Sequence, residues 1–227
     1  MDFDKLATRY RGPLAQKYDS RRKRGAQWLG EQQAVEALLA KLPTGSSILD
    51  IPAGTGRFIP LYKKFGLRAS GMDSSADMLA GAQQKANEIG LAIDLQTADI
   101  RAIAAPDAGF DCVLCMRFLN WVDPDGLRTV LGELARVAKT HLILGIRCAV
   151  DEANAGPQRI SPWRRLLEQR KLRRQERKGA KRYKHRDCDV HDLIAGLGLK
   201  VKDAKVLERR SDNTEYRVYL LTREQQA

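Results

Sequence analysis

Two spacings of apolar residues alternate along this chain, and their order predicts its architecture. Residues 25 to 42 place Trp28, Leu29, Val35, Leu38, Leu39 and Leu42 at helical spacing, with Pro43 and Gly45 closing the segment. A short apolar run, Ile48 to Asp50, then meets a turn containing Pro52, Gly54 and Gly56, and residues 56 to 65 read as a helix. The next runs alternate in the same way: a strand from Leu67 ending at Asp73, a helix over 75 to 89, and a strand from Leu91 ending near Asp99. A fourth strand covers Phe110 to Met116, a helix covers 124 to 138, and a fifth strand covers His141 to Cys148. Residues 151 to 186 break the pattern with a polar stretch. Its middle, from Ser161 to about Lys178, has no glycine or proline after Pro162 and predicts a helix of roughly 27 Å. A short helix from Asp189, closed by glycine, precedes two strands, 199 to 209 and 214 to 224. The turn at Ser211 to Asn213 should pair these two antiparallel.

Strands and helices following one another at βαβ spacing predict an α/β protein. The expected fold is an open, doubly wound, mostly parallel seven-stranded sheet with an antiparallel C-terminal strand, helices on both faces and a basic helical insertion after strand 5. The 227 residues suit a single domain. Residues 1–44 would be an N-terminal arm and helix, 45–150 a cofactor-binding core, 151–190 a basic insertion or lid, and 191–227 the final helix and strand pair. No apolar run is long enough to span a membrane and the N-terminus has no hydrophobic signal core, so the expected location is cytoplasmic.

Charge changes the picture in two places. The formal net charge is +12, and 157 to 186 alone holds thirteen Lys or Arg against Glu168 and Glu176. The first thirty residues hold eight basic residues against three acids, so the remainder of the chain is net acidic. Two such segments point to an anionic partner as well as to solvated surface. The cysteines change little. Cys112 and Cys115 are three apart on one strand and so point to opposite faces, which favours buried thiols over a redox or metal pair. His185, Cys188 and His191 match no common zinc spacing, and no metal is expected.

The candidate chemistry lies at the strand ends. Asp50, Asp73 and Asp99 close three successive strands, and in an open α/β sheet ligands bind outside the carboxyl ends of the strands. Asp73 stands nineteen residues beyond Gly54, a spacing at which an acid can accept hydrogen bonds from ribose hydroxyls. Each acid taken singly could equally be a loop-capping Asp.

These segments resemble the class I S-adenosylmethionine-dependent methyltransferases from Leu29 onward. LDIPAGTGRF is similar to that family's first motif, GMDSSADML to its second, TADI to its third and FDCVLCMRFLNWV to its fourth. The closing strand pair resembles the hairpin that separates this fold from dinucleotide-binding ones. The resemblance implies S-adenosylmethionine as cofactor. Asp50, Ile51, Gly54 and Gly56 would hold its methionine moiety, Asp73 and Ser74 its ribose, Asp99 and Ile100 its adenine, and Cys115 and Met116 the methionyl side. Pro52 departs from the family's usual glycine, which fixes φ and removes one amide donor.

The region after the fourth strand lacks the Asn/Asp-Pro-Pro-aromatic sequence that marks amino methylation of nucleic-acid bases, and resembles the small-molecule branch. Tyr18, Arg117, Asn120 and Trp121 are the candidate acceptor-binding residues. Arg117 either holds an acceptor phosphate or carboxylate or pairs with a cleft acid. Arg117, His185 and Tyr183 are the candidate catalytic residues, the last two as general bases. The expected activity is methyl transfer to oxygen or nitrogen of an anionic small molecule or glycolipid precursor. RNA held along the basic insertion is the alternative within that class. A nicotinamide-dependent oxidoreductase and a non-catalytic binding protein of the same fold are the alternatives outside it. The sequence carries no sign of oligomeric state.

Overall fold

The computed structural model describes residues 25–150, 163, 182–210 and 212–223. Its elements in chain order begin with α1 (Ala26–Leu39), β1 (Ser47–Asp50), α2 (Ile59–Lys64), β2 (Arg68–Asp73), α3 (Ala76–Ile89), β3 (Asp94–Thr97) and β4 (Phe110–Cys115). A single 3-10 turn (Leu119–Trp121) leads to α4 (Pro124–Val137) and β5 (Ala138–Ala149). After the insertion come β6 (His185–Arg186), α5 (Asp187–Gly196), β7 (Leu199–Arg209) and β8 (Thr214–Arg223). The helix expected over Ser161 to Lys178 lies outside the described residues except for Trp163, and the N-terminal arm with Tyr18 lies outside them entirely.

The strands form one sheet in the order β3-β2-β1-β4-β5-β8-β7, with β6 beside the end of β5. All neighbours from β3 to β5 are parallel. β8 runs antiparallel between β5 and β7. The final hairpin thus inserts its second strand into the sheet and leaves its first strand at the edge. That edge is exposed and studded with Lys200, Lys202 and Lys205, which discourages further strand pairing.

Local chemistry explains most boundaries. Ser75 caps α3 by accepting the Met78 amide, and Gly90 ends it in the left-handed region. Asp123 caps α4 through the Gly126 amide, with Pro124 in its first turn. Three elements differ from expectation. α2 starts at Ile59 and not at residue 56, because Gly54 and Gly56 take positive φ and hold the chain in a turn. β3 stops at Thr97, so Asp99 lies beyond the strand and not on its end. His185–Arg186 pairs with Cys148 and Ala149 as a further strand, eight in all, which two residues carry no periodicity to announce.

Two apolar layers cover the sheet. α1, α2 and α3 pack on one face through Val35, Leu39, Ile59, Tyr62 and Ala82, meeting Ile48, Leu114, Ile143 and Val218. α4 and α5 cover the other through Leu127, Leu131, Leu134, Val190 and Ile194, against Val113, Leu142, Leu144 and Tyr219. Cys112 belongs to the first layer and Cys115 to the second, as alternation along β4 requires. Leu134 is fully buried. Its truncation to alanine should lower the unfolding free energy by about 3 kcal/mol, seen as a reduced urea midpoint with unchanged slope.

Candidate functional site

β1 and β2 deliver Asp50 and Asp73 to the same edge of the sheet, both nearly buried. The loop after β1 is tied down on both sides: the Ile51 amide donates to Leu114 O at 2.9 Å and the Ala53 amide to Met72 O at 2.8 Å. That path, which includes a cis Ile51–Pro52 bond, brings the Gly54 amide onto Asp73 Oδ2 at 2.9 Å, while the Ser75 amide donates to Oδ1 at 2.9 Å. A Cβ on Gly56 would collide with Ile59 Cδ1 at 2.3 Å, so the turn requires glycine there. The first and second sequence motifs are therefore one physical unit.

Burial sets the electrostatics of this edge. Asp50 accepts a hydrogen bond from Tyr62 Oη at 2.7 Å. Desolvation pushes its carboxyl up to about 7, Tyr62 opposing and Asp73 adding to the rise. Asp73 is also raised by burial, against the pull of its backbone donors. Asp99 behaves differently: it is half exposed, its carboxylate is held by the Arg101 guanidinium, and those bonds lower its pKa. Ile100 is buried in the layer under α4. Ile51, Cys115 and Met116 are buried, whereas Ser74 is exposed.

Arg117, at a positive φ of 61° after β4, donates through Nε to Glu31 Oε2 at 2.6 Å. Arg57, just past the glycine turn, reaches the same oxygen through Nη1 at 2.5 Å, and Gln27 donates to Oε1. The Trp28 ring lies under both guanidiniums, 3.5 Å from Arg57 Cζ and 5.3 Å from Arg117 Cζ. A fully buried carboxylate of α1 thus binds the loops after β1 and β4 together. Of the two roles left open for Arg117, pairing with a cleft acid is the one this geometry realises.

Asn120 is engaged by backbone. Its Oδ1 accepts the Arg147 amide at 2.8 Å, and its Nδ2 donates to Arg147 O and Tyr183 O. The Tyr183 amide donates in turn to Asn120 O. Trp121 is buried, with Arg182 Cζ 4.7 Å above its ring. His185 is buried in register with Cys148, on the face covered by α4 and α5. Its Nε2 lies 3.0 Å from Leu119 O, and desolvation lowers its pKa. Arg117 and His185 therefore stand on opposite faces of the sheet, while Asn120 links the Arg117 loop to the segment leading to His185.

Sequence reasoning missed Glu31, Arg57, Tyr62, Arg147 and Tyr216. One signal was present: Glu31 falls on the apolar stripe of α1, three residues after Trp28 and four before Val35, where an acid has to be paired. Tyr62 and Tyr216 carried none, since their partners come from distant strands.

A family profile described as a methyltransferase domain matches residues 48–141, the stretch from β1 into β5 that holds the glycine turn, Asp50 and Asp73. The core of this chain is a class I methyltransferase domain. Phosphatidylethanolamine N-methyltransferase of Cereibacter sphaeroides is 39% identical over 97 residues, 42% of this chain and 46% of that protein. Demethylmenaquinone methyltransferase of Thermus thermophilus is 36% identical over 116 residues, 50% of each. The chain spans about half the length of the curated relatives it matches. Among solved structures, magnesium protoporphyrin IX methyltransferase from Synechocystis with bound S-adenosylhomocysteine superposes with a TM-score of 0.71. That alignment covers 98% of this chain and all of the other at 20% identity, a likeness of fold. Among the described residues, no helix of this methyltransferase domain protein is long and apolar enough to cross a membrane.

Two outcomes test this geometry. Glu31→Gln leaves Arg57 and Arg117 without their shared anion and should cost about 3 kcal/mol of stability in chemical denaturation. Asp50 rises from an ordinary 3.8 to about 7 in the folded state, so the folded protein holds its proton more tightly. The stability this contributes is complete below about pH 4 and is lost as pH climbs to 7. The melting temperature of the ligand-free wild type should fall relative to Asp50→Asn across that window.

Proposed function

We propose that this chain transfers the methyl group of S-adenosylmethionine to an oxygen or nitrogen of an anionic acceptor, a phosphorylated or acidic small molecule or glycolipid precursor. The observation that carries the cofactor reading is the Gly54 amide on the Asp73 carboxylate. A carboxylate has about four acceptor positions, and backbone amides of Gly54 and Ser75 take two, which leaves capacity for a ribose diol. Gly54 and Gly56 keep side chains out of the approach to that acid. Asp50, beside it, can ionise near neutral pH and face the ammonium of a methionyl group. The residues present therefore fit the cofactor, with Asp73 on its ribose and Asp50, Ile51, Gly54 and Gly56 on its methionyl part.

The bound sulfonium supplies an already activated methyl group. The protein has to hold an acceptor atom in line with it and exclude water. Arg57 and Arg117 share one carboxylate, which leaves one positive charge in excess at the edge where the loops after β1 and β4 meet. That surplus supports an anionic acceptor, as do the basic segments of the sequence. His185 can serve as a proton acceptor through Nδ1, since Nε2 faces the Leu119 carbonyl.

Three measurements test the reading. Calorimetric titration should show S-adenosylhomocysteine binding, about 10- to 100-fold weaker in Asp73→Ala; tight NADH binding in its place would overturn the assignment. Affinity for S-adenosylmethionine should rise as pH passes through 7, as Asp50 loses its proton, and that rise should vanish in Asp50→Asn. Labelled methyl transfer into a host extract should mark the small-molecule or lipid fraction. Label in RNA would replace the proposed acceptor with a polynucleotide.

A further inference from the structure

Arg147 on β5 and Tyr216 on β8 are direct cross-strand partners, so their side chains share the face covered by α1. Gly145 lies on the same face two residues before Arg147. A Cβ there would meet Tyr216 Oη at 2.4 Å and Met116 Sδ at 2.7 Å. The Tyr216 ring therefore leans across β5 over the glycine, and its hydroxyl is carried toward Met116 at the end of β4. That end is where the acceptor is proposed to meet the cofactor.

Two polar atoms are left over at this spot. Tyr216 Oη and Arg147 Nη1 are buried and have no hydrogen-bond partner. The Arg147 guanidinium lies 5.5 Å from the Tyr216 ring centroid and donates from Nη2 to Glu208. Arg210 also reaches Glu208, so this carboxylate too is shared by two guanidiniums. With Glu31 between Arg57 and Arg117, each cluster carries one uncompensated positive charge. Both clusters act electrostatically on Tyr216, whose ionisation is pushed well up by burial and by Glu31. The hydroxyl therefore stays a proton donor. Native proteins rarely leave two such donors buried and unpaired side by side with surplus positive charge.

We infer that Arg147 Nη1 and Tyr216 Oη form an anchoring site for an oxyanion, the carboxylate or phosphate group of the acceptor, with Gly145 as its floor. The inference rests on the proposed methyltransferase reading and adds the group by which the acceptor is held. Both donors would point at the anion, and the guanidinium can present a second N–H to it. The cofactor residues Asp50, Asp73 and Gly54 belong to the loops after β1 and β2 and take no part.

The test uses the full chain saturated with S-adenosylhomocysteine, titrated at constant ionic strength with inorganic phosphate and, separately, with acetate. Wild type should bind at least one of them saturably, and the stronger one names the oxyanion. Tyr216→Phe keeps shape and charge and should weaken that binding at least about fivefold; Arg147→Gln, which leaves Glu208 to Arg210, should weaken it about 10-fold or more. S-adenosylhomocysteine affinity should change less than about twofold in both, which also reports that the variants fold. Equal anion binding by wild type and Tyr216→Phe would overturn the site, as would saturable binding of neither anion, the result expected if a water bridges the two donors. Failure of wild type to bind S-adenosylhomocysteine would sink the methyltransferase reading instead. The anion titrations, repeated without it, would still decide the site.

Discussion

The carboxylate of Glu31, buried without exposure between Arg57 and Arg117, governs how the candidate site is assembled. A lone charge in that position would be prohibitive, so the helix bearing it and both loops bearing its partners must come together or not at all. Arg57 follows the glycine turn and Arg117 follows β4. One acid of α1 therefore sets the distance between the turn that approaches Asp73 and the strand end that faces the acceptor. Trp28 stacks beneath both guanidiniums and keeps water away from the pairs.

The sheet edge gains its chemistry from what it withholds from solvent. Asp50 and Asp73 are both buried, and burial raises both, so the empty edge holds protons that a cationic ligand would displace. Tyr62 orients one acid and backbone amides orient the other. The acids are positioned before any ligand arrives, which reduces the reorganisation that binding requires. On the far side of Arg117, Asn120 uses its amide to hold β5 to the segment leading into β6. The loop after β4 thereby touches both faces of the sheet, although Arg117 and His185 do not meet.

The parts of this arrangement that repeat along the chain were legible before folding. Strand and helix periods, the capping residues Ser75 and Asp123, the spacing of Gly54 and Asp73, and the antiparallel final pair are local patterns, and each reappears in the structure. Asp99 shows where local pattern fails. It ends an apolar run in sequence as Asp73 does, yet β3 stops two residues earlier and Arg101 takes its carboxylate. An edge strand has a neighbour on one side alone, so nothing forces it to continue.

Sequence by itself determined the α/β architecture, the cofactor motifs and the burial of Cys112 and Cys115, because periodicity and short spacing are properties of neighbours in the chain. It also singled out Glu31 as an acid on an apolar stripe without naming its partners. Tertiary structure alone decided that Arg57 and Arg117 meet at Glu31, and that Asn120 is spent on backbone. It also decided that Tyr216 crosses Gly145 to stand unpaired beside Arg147. Those pairs lie 26, 86, 27 and 69 residues apart in sequence. Their contact depends on strand order and register, which no local pattern of polar and apolar residues encodes.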